Sequence, residues 1–182
     1  MGIAAKKWKD VKDKDRVKAL YNSAFPKEER LPWFVLRLMS ARQGMGITAF
    51  YEDAHFCGMT VGAETEEILF LLFFAVEDGL RGKGYGSEIL ALLKAQNPGR
   101  AIVLNVELLD ETAENYAQRV SRMRFYSRNG FYDTGYDIDE VGGTFRVLST
   151  RQELDIDAYL QVFKRISLGF WKPYIRKAAD EE

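Results

Sequence analysis

The sequence predicts an α/β fold: one mixed β-sheet flanked by helices on both faces, with an extra helix at the C-terminus. Three observations carry this. Apolar residues keep a helical period before Gly44 and change to the period of strands from Ile47. An unbroken apolar run, Ile68 to Val76, passes through a glycine-rich turn directly into a helical pattern. Strand and helix patterns then alternate as far as Ser149. The 182 residues are read as a single domain, 1–182, with a core of about 13–149 and a C-terminal extension of 150–182.

Ala4 to Lys9 is a candidate edge strand. Asp13 to Ala24 reads as helix, because Val17, Leu20, Tyr21 and Ala24 recur at helical spacing and acids occupy the first turn. Phe25 to Pro32 interrupts it, since each proline disfavours helix in the residue before it. A second helix starts at Pro32 or Trp33, where proline is tolerated, and runs to about Arg42. Ile47 to Tyr51 and Phe56 to Gly62 form a hairpin around Glu52-Asp53-Ala54. Ile68 to Val76 is the central strand, and the helix after Gly84 ends at Asn97-Pro98-Gly99. Ala101 to Glu107 is another apolar strand. A long helix is expected from Thr112 to Arg128, closed by Asn129-Gly130. Phe131 to Ile138 and Gly143 to Ser149 pair around Val141-Gly142-Gly143, and Asp155 to Phe170 is a final amphipathic helix.

Composition narrows the function. A net charge of −1 gives no electrostatic reason to expect a nucleic-acid partner. No apolar run has the length of a membrane span, and Met1 to Asp15 lacks the apolar core of a secretory signal. The one cysteine, Cys57, cannot form an intrachain disulfide, which fits a reducing cytoplasm. His55, the only histidine, and Cys57 are too few for a zinc site and lack an orienting third group, so both are read as structural and no metal is expected.

The stretch Arg81-Gly82-Lys83-Gly84-Tyr85-Gly86 has the parts of an anion site. Glycines admit a ligand close to the backbone, and the N–H groups of the turn and first helical turn converge where the helix dipole favours negative charge. A pyrophosphate is expected on Gly82 to Gly86. A P-loop is excluded because Lys83 is followed by Gly84, and the dinucleotide fingerprint fails because Gly82, Gly84 and Gly86 are spaced by two throughout.

What remains, Arg81-x-x-Gly84-x-Gly86 after a strand ending Phe74-Ala75-Val76, resembles the acyl-coenzyme A site of the GNAT superfamily of N-acetyltransferases, Arg/Gln-x-x-Gly-x-Gly/Ala. A second stretch, Phe125-Tyr126-Ser127-Arg128-Asn129-Gly130-Phe131, looks like that superfamily's Phe/Leu-Tyr-x-x-x-Gly-Phe signature, at the expected order and separation. The resemblance covers roughly Asp13 to Ser149. It implies a GNAT-like mixed sheet and an acetyl-CoA co-substrate. The backbone of Phe74, Ala75 and Val76 then pairs with the pantetheine amides like an added strand, and Arg81, Gly82, Lys83, Gly84, Tyr85, Gly86 and Ser87 hold the pyrophosphate. The implied reaction is direct acetyl transfer to a primary amine of a small molecule or peptide. An amine attacks as the free base, the tetrahedral intermediate carries an oxyanion, and the departing thiolate needs a proton.

Tyr126, beside the thioester sulfur in the resemblance, is the candidate acid. The base is open. Some members place a glutamate five residues before the alanine at Ala75, but here that position is Phe70. Glu107, at the end of the next strand, is the candidate, with water relayed to Glu66 or Glu67 as a weaker route. Phe25 to Pro32 falls where the acceptor loop lies, so Glu28 and Glu29 are candidates to attract a cationic amine and Trp33 and Phe34 to line its pocket. Arg119, Arg122, Arg124 and Arg128 read as a solvated face or as partners of the 3′-phosphate or an acidic acceptor. Tyr159, Phe163, Phe170, Trp171 and Tyr174 either cover the sheet or make a homodimer contact. The alternative function is a coenzyme-binding regulatory module without turnover.

Overall fold

A computed structural model describes residues 2–27, 29–140, 143–167, 169 and 173–178. The elements are β1 (Ile3–Lys7), α1 (Lys14–Ala24), α2 (Trp33–Ser40), β2 (Met45–Glu52), β3 (His55–Glu64), β4 (Ile68–Val76), α3 (Tyr85–Gln96), β5 (Ala101–Glu107), α4 (Tyr116–Arg128), β6 (Tyr132–Glu140), β7 (Gly143–Ser149), α5 (Ile156–Ile166) and β8 (Tyr174–Lys177). The strands form one open mixed sheet in the order β1-β2-β3-β4-β5-β7-β6-β8. The expected α/β class is therefore observed. The chain divides into two compact units, Met1–Glu64 with Leu71–Gly99, and Thr65–Phe70 with Arg100–Glu182.

In the first unit β1, β2 and β3 form an antiparallel meander. Asp53 turns the β2–β3 hairpin at a left-handed φ of 52°, a conformation that aspartate tolerates better than most residues. The core of this unit gathers Val17, Leu20 and Tyr21 of α1, Leu36 of α2, Ile47, Ala49 and Tyr51 of β2, Phe56, Met59 and Val61 of β3, and Phe73 and Ala75 of β4. Tyr21 packs edge-on against Phe73 at 5.1 Å between ring centroids, and Phe25 does so at 4.8 Å.

In the second unit β4 and β5 run parallel from Ile68↔Ala101 to Phe70↔Val103, and β7, β6 and β8 continue antiparallel. Helix α5 is capped by Asp155, whose carboxylate accepts the Ala158 N–H at 3.0 Å. Its Tyr159 and Phe163 rings lie 6.0 and 5.3 Å from Phe70. The C-terminal helix therefore covers Phe70.

Two expectations are corrected. The helix expected from Thr112 begins at Tyr116, because Asp110 accepts from both the N–H and the hydroxyl of Thr112 and holds residues 110–113 in a turn. Strand β8 was not foreseen: its Tyr-Ile-Arg-Lys is short and basic, an edge composition with little alternation to read. Val141 and Gly142 of the expected hairpin turn, and Phe170 and Trp171 of the C-terminal aromatics, lie outside the described residues.

Candidate active site

The glycine turn belongs to the first unit. After β4 a short 3-10 turn over Asp78–Leu80 leads to Gly82 (φ 73°) and Gly84 (φ 93°), and α3 starts at Tyr85 with Gly84 as its cap. A side chain at Gly84 would have open space but the wrong φ, so the glycine is required by conformation. The first helical bond runs from the Glu88 N–H to the Gly84 carbonyl at 3.1 Å, and no side chain caps the helix. The amides of Tyr85, Gly86 and Ser87 therefore have no partner within the helix and face the positive end of its dipole. These residues fit a pyrophosphate.

Not every side chain named from the sequence points the same way. Arg81 is tied locally, to Asp78 at 2.8 Å and through its Nε–H to the Val76 carbonyl at 3.3 Å. The Tyr85 hydroxyl donates to Glu52 at 2.6 Å, which with burial pushes its pKa up to about 12. Tyr85 thus offers its backbone N–H, while its side chain fastens α3 to the β2–β3 hairpin. Lys83 is exposed.

Sequence reasoning missed what fixes this turn. The Arg16 guanidinium of α1 grips the Glu77 carboxylate at 2.7–2.9 Å, and the Glu77 N–H donates to the Cys57 carbonyl at 2.9 Å. Gly58 of β3 lies so close to the end of β4 that a Cβ there would stand 2.5 Å from the Ala75 carbonyl oxygen. Arg16 and Glu77 are 61 residues apart and carry no local signal. Gly58 did carry one: an isolated glycine within a strand marks close backbone approach. Cys57 is buried, its thiol donating to the His55 carbonyl at 3.2 Å, and burial raises its pKa.

The segment expected to receive the acceptor is largely structural. The Tyr21 hydroxyl donates to the Leu31 carbonyl at 3.0 Å, Arg30 bonds Asn22, and Trp33 packs against Tyr21 and Trp8 at 5.6 Å each. Phe34 is 71% exposed on α2. Glu28 lies outside the described residues.

Tyr126 and Glu107 belong to the second unit. Tyr126 is buried in the last turns of α4 between Phe125 and Phe131, at ring centroid distances of 5.2 and 5.4 Å. Gly130 at φ 71° closes the helix so that the Phe131 N–H returns to the Tyr126 carbonyl at 3.1 Å. Among the described residues the Tyr126 hydroxyl has no hydrogen-bond partner. Burial pushes its pKa up to about 12, against a smaller opposing effect of Arg122, which keeps it a proton donor across the neutral range.

Glu107 ends β5, accepts hydrogen bonds from Asn115 at 2.9 Å and from Arg122, and is ion-paired with Arg119 at 3.2 Å. Burial pushes its carboxyl up, but these donors outweigh it and hold the pKa below the ordinary value. A carboxylate so occupied is a weak proton acceptor. It fastens α4 to the end of β5 through Arg122, one helical turn before Tyr126. Arg124 and Arg128 are exposed. Glu66 and Glu67 are exposed and precede β4, at the end of that strand opposite Val76, which removes the relay suggested for them.

Residues 14–131 match the Acetyltransferase (GNAT) family. The chain belongs to that family. Solved structures with the same fold include a GNAT-family protein from Bacteroides thetaiotaomicron, 24% identical over 92% of this chain and 96% of that one, with a TM-score of 0.69. An aminoglycoside 6'-N-acetyltransferase complexed with coenzyme A is 15% identical over 85% of this chain and 100% of its own, with a TM-score of 0.63. Arabidopsis thaliana Naa50, in complex with the bisubstrate analogue CoA-Ac-MVNAL, is 18% identical over 82% and 98%, with a TM-score of 0.55. No curated protein matches the chain. GNAT membership accounts for the two signatures read from the sequence and for the glycine turn between β4 and α3. Among the described residues no helix is long and apolar enough to cross a membrane.

Proposed function

We infer that the protein moves an acetyl group from acetyl-CoA to a primary amine of a small molecule or peptide, by direct attack through a tetrahedral intermediate. The observation that carries this reading is the uncapped start of α3. Three amides there lack a helical partner, and they follow glycines already in the left-handed region that a phosphate-binding turn requires. Coenzyme A in the aminoglycoside enzyme and in the Naa50 complex supports the donor, and the aminoglycoside and peptide acceptors named for those proteins support an amine acceptor.

In the first unit the Gly82–Ser87 backbone takes the pyrophosphate and the Phe74–Val76 backbone the pantetheine arm. In the second unit Tyr126 gives its proton to the departing thiolate, and Glu107 positions α4 instead of accepting a proton. The lone buried Cys57 supports a cytoplasmic setting. The test is calorimetry of coenzyme A binding together with thiol release from acetyl-CoA over a panel of aminoglycosides, free N-terminal peptides and small primary amines. Saturable binding and amine-dependent thiol release are expected. Absence of coenzyme binding would overturn the reading, and binding without amine-dependent release would leave a coenzyme-binding module.

A further inference from the structure

Strand β1 ends at Lys7, and a short 3-10 turn over Trp8–Asp10 carries the chain away from it. The aromatic residue pins this turn. Trp8 packs edge-on against Trp33 of α2 at 5.6 Å between ring centroids, and Lys14 Nζ stands over its ring at 5.3 Å. Lys7 and Lys9 therefore flank a fixed ring. With Arg37 of α2 they line a cleft of about 400 Å³, whose walls include Trp8, Met45 and Ile47.

No acidic residue lines this cleft, and among the described residues Lys7, Lys9 and Arg37 have no ion-pair partner. A lysine at the end of an edge strand discourages strand pairing, which accounts for Lys7 alone. It does not account for three cations from two separate segments meeting over apolar walls, in a chain of net charge −1. Charges of one sign in a concave, low-dielectric setting repel one another and focus their field on whatever fills the cleft. The C-terminal end of α2 would oppose an anion through its dipole, but its last carbonyls are occupied. The Arg37 carbonyl accepts the Ser40 hydroxyl at 2.9 Å, that of Leu38 the Ala41 N–H at 3.3 Å, and that of Met39 the Arg42 N–H at 3.0 Å.

We propose that this cleft is a separate anion site, which takes a compact polyanion carrying clustered phosphate or carboxylate groups. Arg37 supplies a planar fork that suits two oxygens of one group, and Lys7 and Lys9 supply point charges for the others. The cleft has the size of a small-molecule site. It is distinct from the glycine turn. Met45 opens β2 at the cleft, and Glu52 closes that strand where it accepts the Tyr85 hydroxyl, roughly 23 Å away. Filling the cleft leaves Gly82–Ser87 free, so the site stands independently of the acyl-transfer reading.

The test uses full-length protein and sodium tripolyphosphate, with sodium citrate as the carboxylate arm and sodium chloride of equal ionic strength as control. Lysines of the wild type are modified with an N-hydroxysuccinimidyl acetate reagent and read by peptide mass spectrometry. Tripolyphosphate is expected to slow modification of Lys7 and Lys9 several-fold and to leave exposed Lys18 unchanged. Stronger protection by citrate would support the site and assign it a tricarboxylate instead of an oligophosphate. Calorimetry with coenzyme A present to fill the glycine turn should show tripolyphosphate affinity falling roughly 10-fold or more when Lys7→Gln, Lys9→Gln and Arg37→Gln are combined. The affinity of that variant for coenzyme A itself should not change. Protection confined to Lys83 of the glycine turn, no protection by either anion, or equal affinity in the wild type and the triple variant would each overturn the proposal. The labelling result needs no variant. Failure of the acyl-transfer reading shows separately, as absence of coenzyme A binding.

Discussion

Replacing Gly58 by alanine tests whether the end of β4 is held in place by close approach of β3. The new methyl would stand 2.5 Å from the Ala75 carbonyl oxygen, 3.2 Å from Ile89 Cδ1 and 3.3 Å from Val76 Cα. The first of these is roughly 0.9 Å inside ordinary contact and is made with backbone, which has no rotamer by which to retreat. Relief therefore moves Ala75 and Val76, two of the three residues proposed to pair with the pantetheine arm. Overpacking of this kind costs about 1–3 kcal/mol, or roughly 2–12 °C in Tm for a chain of this size. Loss of one or two backbone hydrogen bonds to the donor, each worth about 1 kcal/mol net, weakens coenzyme A by roughly 10-fold. Gly46→Ala is the control, because a Cβ there meets nothing within 4 Å. Differential scanning fluorimetry and calorimetry of coenzyme A binding read both effects. A Gly58→Ala protein with the Tm and coenzyme affinity of the Gly46→Ala control would refute the reasoning.

Tyr126→Phe should lower turnover roughly 100-fold while leaving coenzyme affinity unchanged, as removal of a general acid does; a fully active variant removes Tyr126 from the mechanism. Gly84→Val, forced into a φ of 93° that a β-branched residue avoids, should abolish coenzyme A binding in calorimetry while circular dichroism reports a folded protein. Because Tyr21, Tyr85 and Tyr126 have pKa values raised to about 12, their folded state is favoured below the ordinary phenol value and loses that contribution as pH rises towards 12. An ultraviolet phenolate titration should show a group of tyrosines ionising late, and a single transition near pH 10 would contradict it. Glu107→Gln, which leaves Arg119 and Arg122 without their carboxylate, should cost about 1 kcal/mol after allowance for solvent screening, read by urea unfolding.

The parts of the fold legible in the sequence are those written in neighbouring residues. The run Ile68–Val76, the glycines after it and the helix from Tyr85 are contiguous, so strand, turn and uncapped helix start were all readable. The end of α4 was readable for the same reason: Asn129-Gly130 stops the helix immediately after Tyr126. The supports of the site join residues far apart in sequence. Arg16 with Glu77, and Glu52 with Tyr85, depend on which elements meet. Glu107 shows the same limit. Its place at the end of β5 was foreseen, but not the arginines that make it a weak base.

The most direct test of acetyl transfer is the mass spectrum of a primary amine incubated with the protein and isotopically labelled acetyl-CoA. The account predicts a product heavier by one labelled acetyl group, located on nitrogen by fragmentation and absent with Gly84→Val. Coenzyme A bound and hydrolysed, with every amine of the panel recovered unmodified, would contradict it.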